Sequence, residues 1–141
     1  MDTYEPISLT ASTTLGNVHI GALLVVSAAA GLTLTLPAAS GTGRTFDILV
    51  GTTVTSNSVI VQVASASDTM TGVCVNAADA GDAALAFETA ATTDTITMNG
   101  TTTGGVKGDR IELIDAESGL WSVRVVGSAT GLEATPFSAA V

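Results

Sequence analysis

The stretch "GLTLTLP", residues 31–37, decides the fold class of this chain. Leucine occupies every second position and threonine fills the positions between, so the side chains alternate between apolar and polar. A period of two is typical of a β-strand with one face in a core and the other towards solvent. Gly31 opens the stretch, and Pro37 closes it because proline cannot donate a ladder hydrogen bond. The stretch therefore predicts a half-buried strand that turns its three leucines towards the core.

Four further stretches repeat this alternation: "RTFDILV" at residues 44–50, "SVIVQVA" at 58–64, "RIELID" at 110–115 and "LWSVRVV" at 120–126. The last two are joined by "AESG", which predicts a hairpin. In all four, every second side chain is large and apolar and is expected to face inward. These predicted inward residues are Phe46, Ile48, Val50, Val59, Val61, Val63, Ile111, Leu113, Trp121, Val123 and Val125.

Shorter patterns predict the remaining strands. "ISLTAST" begins the series at Ile7, "TMTGVCV" contains Gly72 at a possible bulge, and "LAFET" and "TITMNG" follow. Residues 18–26, "VHIGALLVV", are apolar in both phases, which favours a central strand or one buried between subunits. We expect an all-β fold, a single β-sandwich or jelly-roll-like domain of about nine or ten short antiparallel strands with turn signals every 8–12 residues.

The chain of 141 residues is long enough for one domain with a sizeable core. Residues 1–7 lack a periodic pattern and predict an N-terminal arm; residues 8–127 predict the β-sandwich domain. Residues 128–141 predict a C-terminal tail that packs on the domain or on a neighbouring subunit. The apolar run at residues 20–39 is broken by Gly31 and Pro37, which argues against a membrane span.

The formal net charge is −9, and only four residues are basic. This balance argues against nucleic acid and against anionic membranes as partners, because both require a cationic surface. Charged residues make up 12% of the chain, below the roughly 25% of an average domain. The resulting uncharged surface is either covered by threonine, serine and alanine or buried between subunits. The single cysteine and the lack of a basic, apolar leader favour folding in a reducing cytoplasm.

No catalytic, cofactor-binding or metal-binding residue is predicted. His19 is the only histidine and Cys74 the only cysteine, and neither has an activating partner in the sequence. We interpret His19 as a residue at a strand face or subunit contact and Cys74 as a small core residue. "GTGR" and "GGVKGD" place glycine beside a basic residue, but neither contains the Gly-Lys-Ser/Thr of a phosphate-binding loop.

The thirteen acidic residues leave two weaker site hypotheses open. A carboxylate pair for glycoside hydrolysis is formally possible, but aromatic platforms are scarce and most acids fall at expected turn or outward strand positions. A calcium loop at residues 76–82 would use Asn76, Asp79 and Asp82, without the acidic spacing of an EF-hand. The acids assigned to turns and outward positions are Asp68, Asp94, Asp109 and Asp115.

Three stretches resemble small virion proteins of tailed bacteriophages, namely the capsid decoration (cement) and head-fibre-like proteins. They are "AAGLTLTLPAASGTGRTFDILVGTTVTSNSVIVQV", "TDTITMNGTTTGGVKGDRIELIDAESGLWSVRVVGS" and "ATPFSAA", and the resemblance runs from about Gly31 to Val141. It implies a structural protein made in the host bacterial cytoplasm and seated on the outer capsid surface. Its partners would be the major capsid protein and further copies of itself in a homotrimer, and its job would be to hold the shell against the pressure of packaged DNA.

The chain ends are the predicted capsid or subunit contacts, because they carry apolar side chains outside the regular strand pattern. Two alternatives stay open. One is a tail-fibre domain that binds a receptor or glycan, for which Trp121 is the only candidate ring, although its alternation with Val123 favours the core. The other is a small hydrolase that uses His19. The predicted contact residues are Tyr4, Pro6, Ile7, Leu9, Pro136 and Phe137.

Overall fold

The computed structural model describes residues 5–79 and 83–141. Over these residues the chain forms twelve β-strands and one short 3₁₀ helix, Asn17–His19. The strands are β1 Ile7–Leu9, β2 Thr13–Thr14, β3 Leu23–Val26, β4 Leu32–Thr35, β5 Thr45–Val50, β6 Val59–Gln62, β7 Thr69–Ala77, β8 Ala84–Glu88, β9 Thr95–Met98, β10 Arg110–Glu117, β11 Leu120–Ser128 and β12 Phe137–Ser138.

The strands form two mixed sheets. The seven-stranded sheet has the order β1-β3-β5-β10-β11-β7-β8, and the five-stranded sheet has the order β12-β9-β6-β4-β2. The all-β class is confirmed, but the expected nine or ten antiparallel strands are wrong, since β1, β3 and β5 run parallel, as do β2, β4 and β6. The physical reason is that the chain crosses to the other sheet after each of the first five strands. Each sheet therefore receives its next strand in the same direction.

One hydrophobic cluster takes side chains from both sheets. The three leucines of the opening stretch lie in it, and Thr33 and Thr35 between them are half-buried on the opposite face. All eleven residues that the other alternating stretches placed inward are buried as well, so this part of the prediction is confirmed. The hairpin is also confirmed, because β10 pairs antiparallel with β11 and registers Leu113 opposite Val123.

The strand predicted over residues 18–26 is correct only in its second half. Asn17–His19 is a 3₁₀ turn, Val18 is 77% exposed, and β3 begins at Leu23. Gly21, with φ +71°, sits in the left-handed region between these two elements and prevents a continuous strand. No helix in the described part of the chain has both the length and the apolarity to cross a bilayer.

Gly72 does not mark a bulge, contrary to the sequence prediction. Strand β7 continues through it, and the parallel register with β11 has no shift from Leu120↔Thr69 to Ser128↔Ala77. A Cβ atom on Gly72 would lie 1.8 Å from the carbonyl oxygen of Val123. The glycine is therefore required by the close approach of two backbones.

Candidate interaction surface

The predicted contact residues near the N-terminus lie at one edge of the seven-stranded sheet. Pro6 is exposed, Ile7 is half-buried in β1, and Leu9 is buried and belongs to the core cluster. Tyr4 lies outside the described residues. Among the described members of this group, Pro6 and Ile7 are placed where a partner could reach them.

The predicted contact residues near the C-terminus pack on the chain itself. Phe137 is buried in β12 opposite Ile96, and the carbonyl oxygen of Pro136, also buried, accepts a hydrogen bond from Thr97 N–H at 2.8 Å. Strand β12 forms one edge of the five-stranded sheet, whereas β2, which closely follows β1, forms the other. The β12 and β2 edges are four strand spacings apart, a distance of about 19 Å. The structure therefore does not bring the predicted N-terminal contacts next to the predicted C-terminal contacts.

A groove of about 540 Å³ lies beside β1. Its walls are formed by residues 20–23 together with Glu5, Pro6 and Asp47. Among the described residues, the lining combines apolar side chains with two carboxylates and includes no basic side chain. This groove brings Pro6 next to Ile20, an exposed apolar residue that the sequence prediction did not single out.

The outer face of the seven-stranded sheet carries a row of mainly apolar side chains. The pairing registers place six residues side by side across the sheet, and we call them the outer row: Val25, Leu49, Arg110, Val126, Val75 and Ala86. Val126 is 59% exposed and Val75 is 38% exposed. Because β-sheets bury apolar faces where they can, an exposed row of this kind is typical of an interaction surface.

The outer row was missed by the sequence analysis, although a signal was present. In "VCV" both residues flanking the inward Cys74 are valine, and in "RVV" the inward Val125 is followed by a second valine, Val126, so both strands also carry valine in the outward phase. The sequence prediction assigns that property to residues 18–26 alone. The same signal in β7 and β11 indicates a sheet whose second face is also apolar.

Strand β8 forms the far edge of the same sheet. In the described part of the chain it pairs only with β7, and four of its five residues are exposed. Leu85 is 39% exposed, whereas Phe87 packs against the core. The seven-stranded sheet thus extends beyond the cover of the smaller sheet at this edge.

Four aspartates thought to lie at turns or outward positions are buried, and Asp115 shows why. Asp115 shares the inward phase of Ile111 and Leu113 and lies beside Trp121. Its Oδ1 accepts the N–H groups of Ser40 and Gly41 at 2.8 Å, and its Oδ2 accepts the hydroxyl of Thr42 at 2.7 Å. Burial opposes the charge, but the Thr42 hydroxyl and these backbone donors lower the pKa of Asp115 to about 2.

The other buried aspartates also bind main-chain N–H groups of loops. Asp68 accepts Ala39 N–H at 2.9 Å, and Asp94 accepts Ala140 N–H at 2.8 Å. Asp109 accepts the N–H groups of Gly105, Val106 and Ser128. Asp68, Asp109 and Asp115 therefore stabilise loops that connect the two sheets, and Asp94 holds the C-terminal residues.

The three side chains considered for catalysis or sugar binding, those of His19, Cys74 and Trp121, are each held within the fold. His19 Nδ1 accepts the N–H of Gly16 at 3.0 Å, and it lies in the 3₁₀ turn instead of the predicted strand. Cys74 is buried, and burial together with the charge of Asp109 raises its pKa to about 11. Trp121 is buried beside Phe46 with ring centroids 5.8 Å apart, so it offers no platform for a sugar.

The calcium hypothesis concerned three residues that the structure treats differently. Asn76 is fully buried, Asp79 is exposed and accepts Gly131 N–H at 2.8 Å, and Asp82 lies outside the described residues. Within residues 5–79 and 83–141 there is no cluster of three or more histidine, cysteine, aspartate or glutamate side chains arranged to hold a metal ion.

No family model, curated protein or solved structure matches this chain. The outer row and the β8 edge are consequently the features from which a function has to be argued.

Proposed function

We propose that this chain is a structural protein of a tailed-phage virion, a β-sandwich module that decorates the outer surface of the capsid as an oligomer. Its partners are the major capsid protein and further copies of itself, with the trimer as the stoichiometry that the resemblance implies. Its action is mechanical and involves no catalysis, cofactor, nucleic acid or membrane. The protein is made in the bacterial cytoplasm and ends on the virion surface.

The outer row is the observation that carries the proposal. Val75 and Val126 lie on interior strands of a wide sheet and not at a loop, so they offer an open apolar surface rather than a pocket for a small molecule. On one side of this row, the next row across the same face supplies a largely charged border of Asp47, Glu112, Arg124 and Glu88, with the exposed Val73 among them. An apolar centre with a charged rim is the usual layout of a protein–protein interface.

The rigidity of the module supports the same role. Strands β10 and β11 lie in the interior of the sheet, and their inward side chains are buried in the common core. Buried aspartates fix two connecting loops and the C-terminal residues. A protein that binds only the assembled shell adds its binding free energy to the stability of that shell, because binding favours the assembled state over the separated subunits.

The test uses heads of the virus that encodes the chain, purified from a strain lacking the gene. Labelled protein should co-sediment with these heads and appear as added density in electron micrographs. The variant Val126→Lys, which places a charge in the outer row, should weaken binding by at least about tenfold, as expected for a central interface residue. Thr33→Lys, on the outward face of β4 in the other sheet, is the matched control and should bind as the parent does.

Two results would overturn the proposal. Heads that stay bare at saturating protein would exclude decoration, and equal binding by Val126→Lys and the parent would remove the outer row from the interface. Thermal unfolding of each variant distinguishes a lost interface from a lost fold.

A further inference from the structure

The free edge of β8 is open to strand pairing. Natural sheet edges are usually blocked by lysine, proline or a bulge, which prevent a second chain from adding to the ladder. Strand β8 reads "ALAFE", with no lysine or proline, and its register with β7 is regular from Val73↔Glu88 to Ala77↔Ala84. No strand from residues 5–79 or 83–141 covers this edge.

The hydrogen-bond pattern of β7 and β8 identifies which backbone groups are free. Thr89 N–H donates to the Gly72 carbonyl at 3.1 Å, and Ala78 N–H donates to the Ala83 carbonyl at 2.9 Å. Hydrogen-bonded pairs alternate along an antiparallel ladder, so Leu85 and Phe87 direct their peptide groups towards β7. The peptide groups of Ala84, Ala86 and Glu88 therefore point away from the sheet.

We propose that β8 pairs antiparallel with β8 of a second copy of this chain, about a two-fold axis at Ala86. Ala86 would then face Ala86 of the partner subunit, and Ala84 would face the partner's Glu88. This register forms about six backbone hydrogen bonds between the copies and joins the two seven-stranded sheets into one. The pairing does not rest on the proposed function: it joins two copies, whereas the resemblance implies a trimer, so a dimer in solution supports the pairing and counts against that stoichiometry.

Three observations favour a second copy as the occupant of this edge. First, Ala86 is the middle residue of β8 and also the last member of the outer row, so the two-fold register continues that apolar row from one copy into the next. Second, the charge of Glu88 meets an alanine instead of another glutamate, so no like charges stand opposite each other. Third, a neighbouring strand would cover Leu85, which is 39% exposed beyond the smaller sheet.

A two-fold contact uses the same edge of both copies, so the assembly stops at a dimer. Sedimentation velocity on the purified protein, at roughly 0.15 M salt to screen the repulsion between two copies of charge −9, should therefore show a monomer–dimer equilibrium at concentrations up to about 100 µM. A monomer throughout, or a trimer without a dimer, overturns the pairing. Because no capsid is present, this result is independent of whether the protein decorates heads.

The variant Ala86→Pro tests the edge directly. It removes a backbone N–H that points away from β7, and proline is tolerated on the open side of an edge strand, so the variant should fold and stay monomeric. Ala86→Ser keeps the N–H and should dimerise like the parent. Dimerisation by Ala86→Pro to the parent's extent overturns the proposal.

Charge variants at Ala84 test the register without touching the backbone. In the dimer of Ala84→Lys, the lysine of each copy lies opposite the partner's Glu88, which gives two attractive pairs. This variant should tighten association about fivefold, while Ala84→Glu, with two repulsive pairs, should weaken association by a similar factor. Within one chain, positions 84 and 88 lie about 13 Å apart along the strand, so the monomer changes little. Equal affinities for the two variants would exclude this register.

Discussion

The two ends of β10 place a buried aspartate in opposite electrostatic situations. Asp109 immediately precedes the strand and accepts three backbone N–H groups, from Gly105, Val106 and Ser128. Asp115, near the other end, accepts backbone N–H groups and also the Thr42 hydroxyl. Burial raises the pKa of Asp109 in spite of its hydrogen bonds, whereas the pKa of Asp115 is lowered to about 2.

The comparison teaches that the number of backbone donors does not decide the direction in which the pKa of a buried carboxylate shifts. Asp115 has a cation nearby, with Arg44 Nε 3.4 Å from its Oδ2, and a hydroxyl donor. Asp109 has neither, and it lies against Gly127, whose added Cβ would be 2.5 Å from the Asp109 carboxyl carbon. The Thr42 hydroxyl donor therefore separates Asp115, whose pKa is lowered, from Asp109, whose pKa is raised by burial.

The largest expected effect is that of Asp115→Ala. The substitution leaves the N–H groups of residues 40–42 and the charge of Arg44 without their acceptor in a buried site. Removing one partner of a buried charged network costs about 3 to 5 kcal/mol of unfolding free energy. Urea denaturation at neutral pH measures this loss, and a loss below about 1 kcal/mol would show that the loop relaxes without its anchor.

The pH dependence of stability sharpens the comparison. The folded pKa of Asp115 lies below its ordinary value of 3.8, so its contribution is fully present above about pH 4 and is lost as the pH falls towards 2. The shift corresponds to about 2 kcal/mol. The stability difference between the parent and Asp115→Asn should therefore shrink over this interval, and a constant difference would contradict the assignment.

Asp109→Asn should cost less, about 1 to 2 kcal/mol, because it keeps the size of the side chain and loses part of its hydrogen bonding. Gly105 and Val106 donate to one oxygen and Ser128 to the other, so an amide must turn its NH₂ towards at least one donor. The folded pKa of Asp109 is raised, and its pH dependence is opposite: the parent gains stability relative to the variant as the pH falls towards the ordinary value. Parallel pH profiles for the two variants would remove the distinction between the ends of β10.

The strands and the core follow from the alternation in the sequence, because burial of one face needs only a period of two. The direction of the strands does not follow, since "GLTLTLP" has the same alternation whichever way its neighbour runs. Strands β3 and β5 are parallel because β4 lies between them in the other sheet, and that crossing leaves no local signal. The expectation of antiparallel pairing therefore could not be corrected from the sequence.

The candidate surface was partly predictable. The phase of Ile111 and Leu113 already places Asp115 on the inward face, and the paired valines around Cys74 already indicate a second apolar face. The free edge of β8 is different, because edge position depends on strand order across the whole sheet. That order is set by long-range packing between β11 and β7, which are separated by more than forty residues in the chain.

The smallest expected effect concerns Asp47, which pairs with Arg110 on the exposed face of β5 and β10. Arg110 Nη2 lies 2.6 Å from Asp47 Oδ1, but the two side chains are 49% and 39% exposed, so the pair contributes at most about 1 kcal/mol. Asp47 also stands directly opposite Glu112 in the ladder, and this like-charge pair offsets part of the gain. Asp47→Ala should therefore change the unfolding free energy by no more than about 0.5 kcal/mol in urea denaturation. A loss of unfolding free energy as large as that of Asp115→Ala would contradict this expectation. It would mean that solvent exposure does not distinguish weakly contributing carboxylates from strongly contributing ones in this protein.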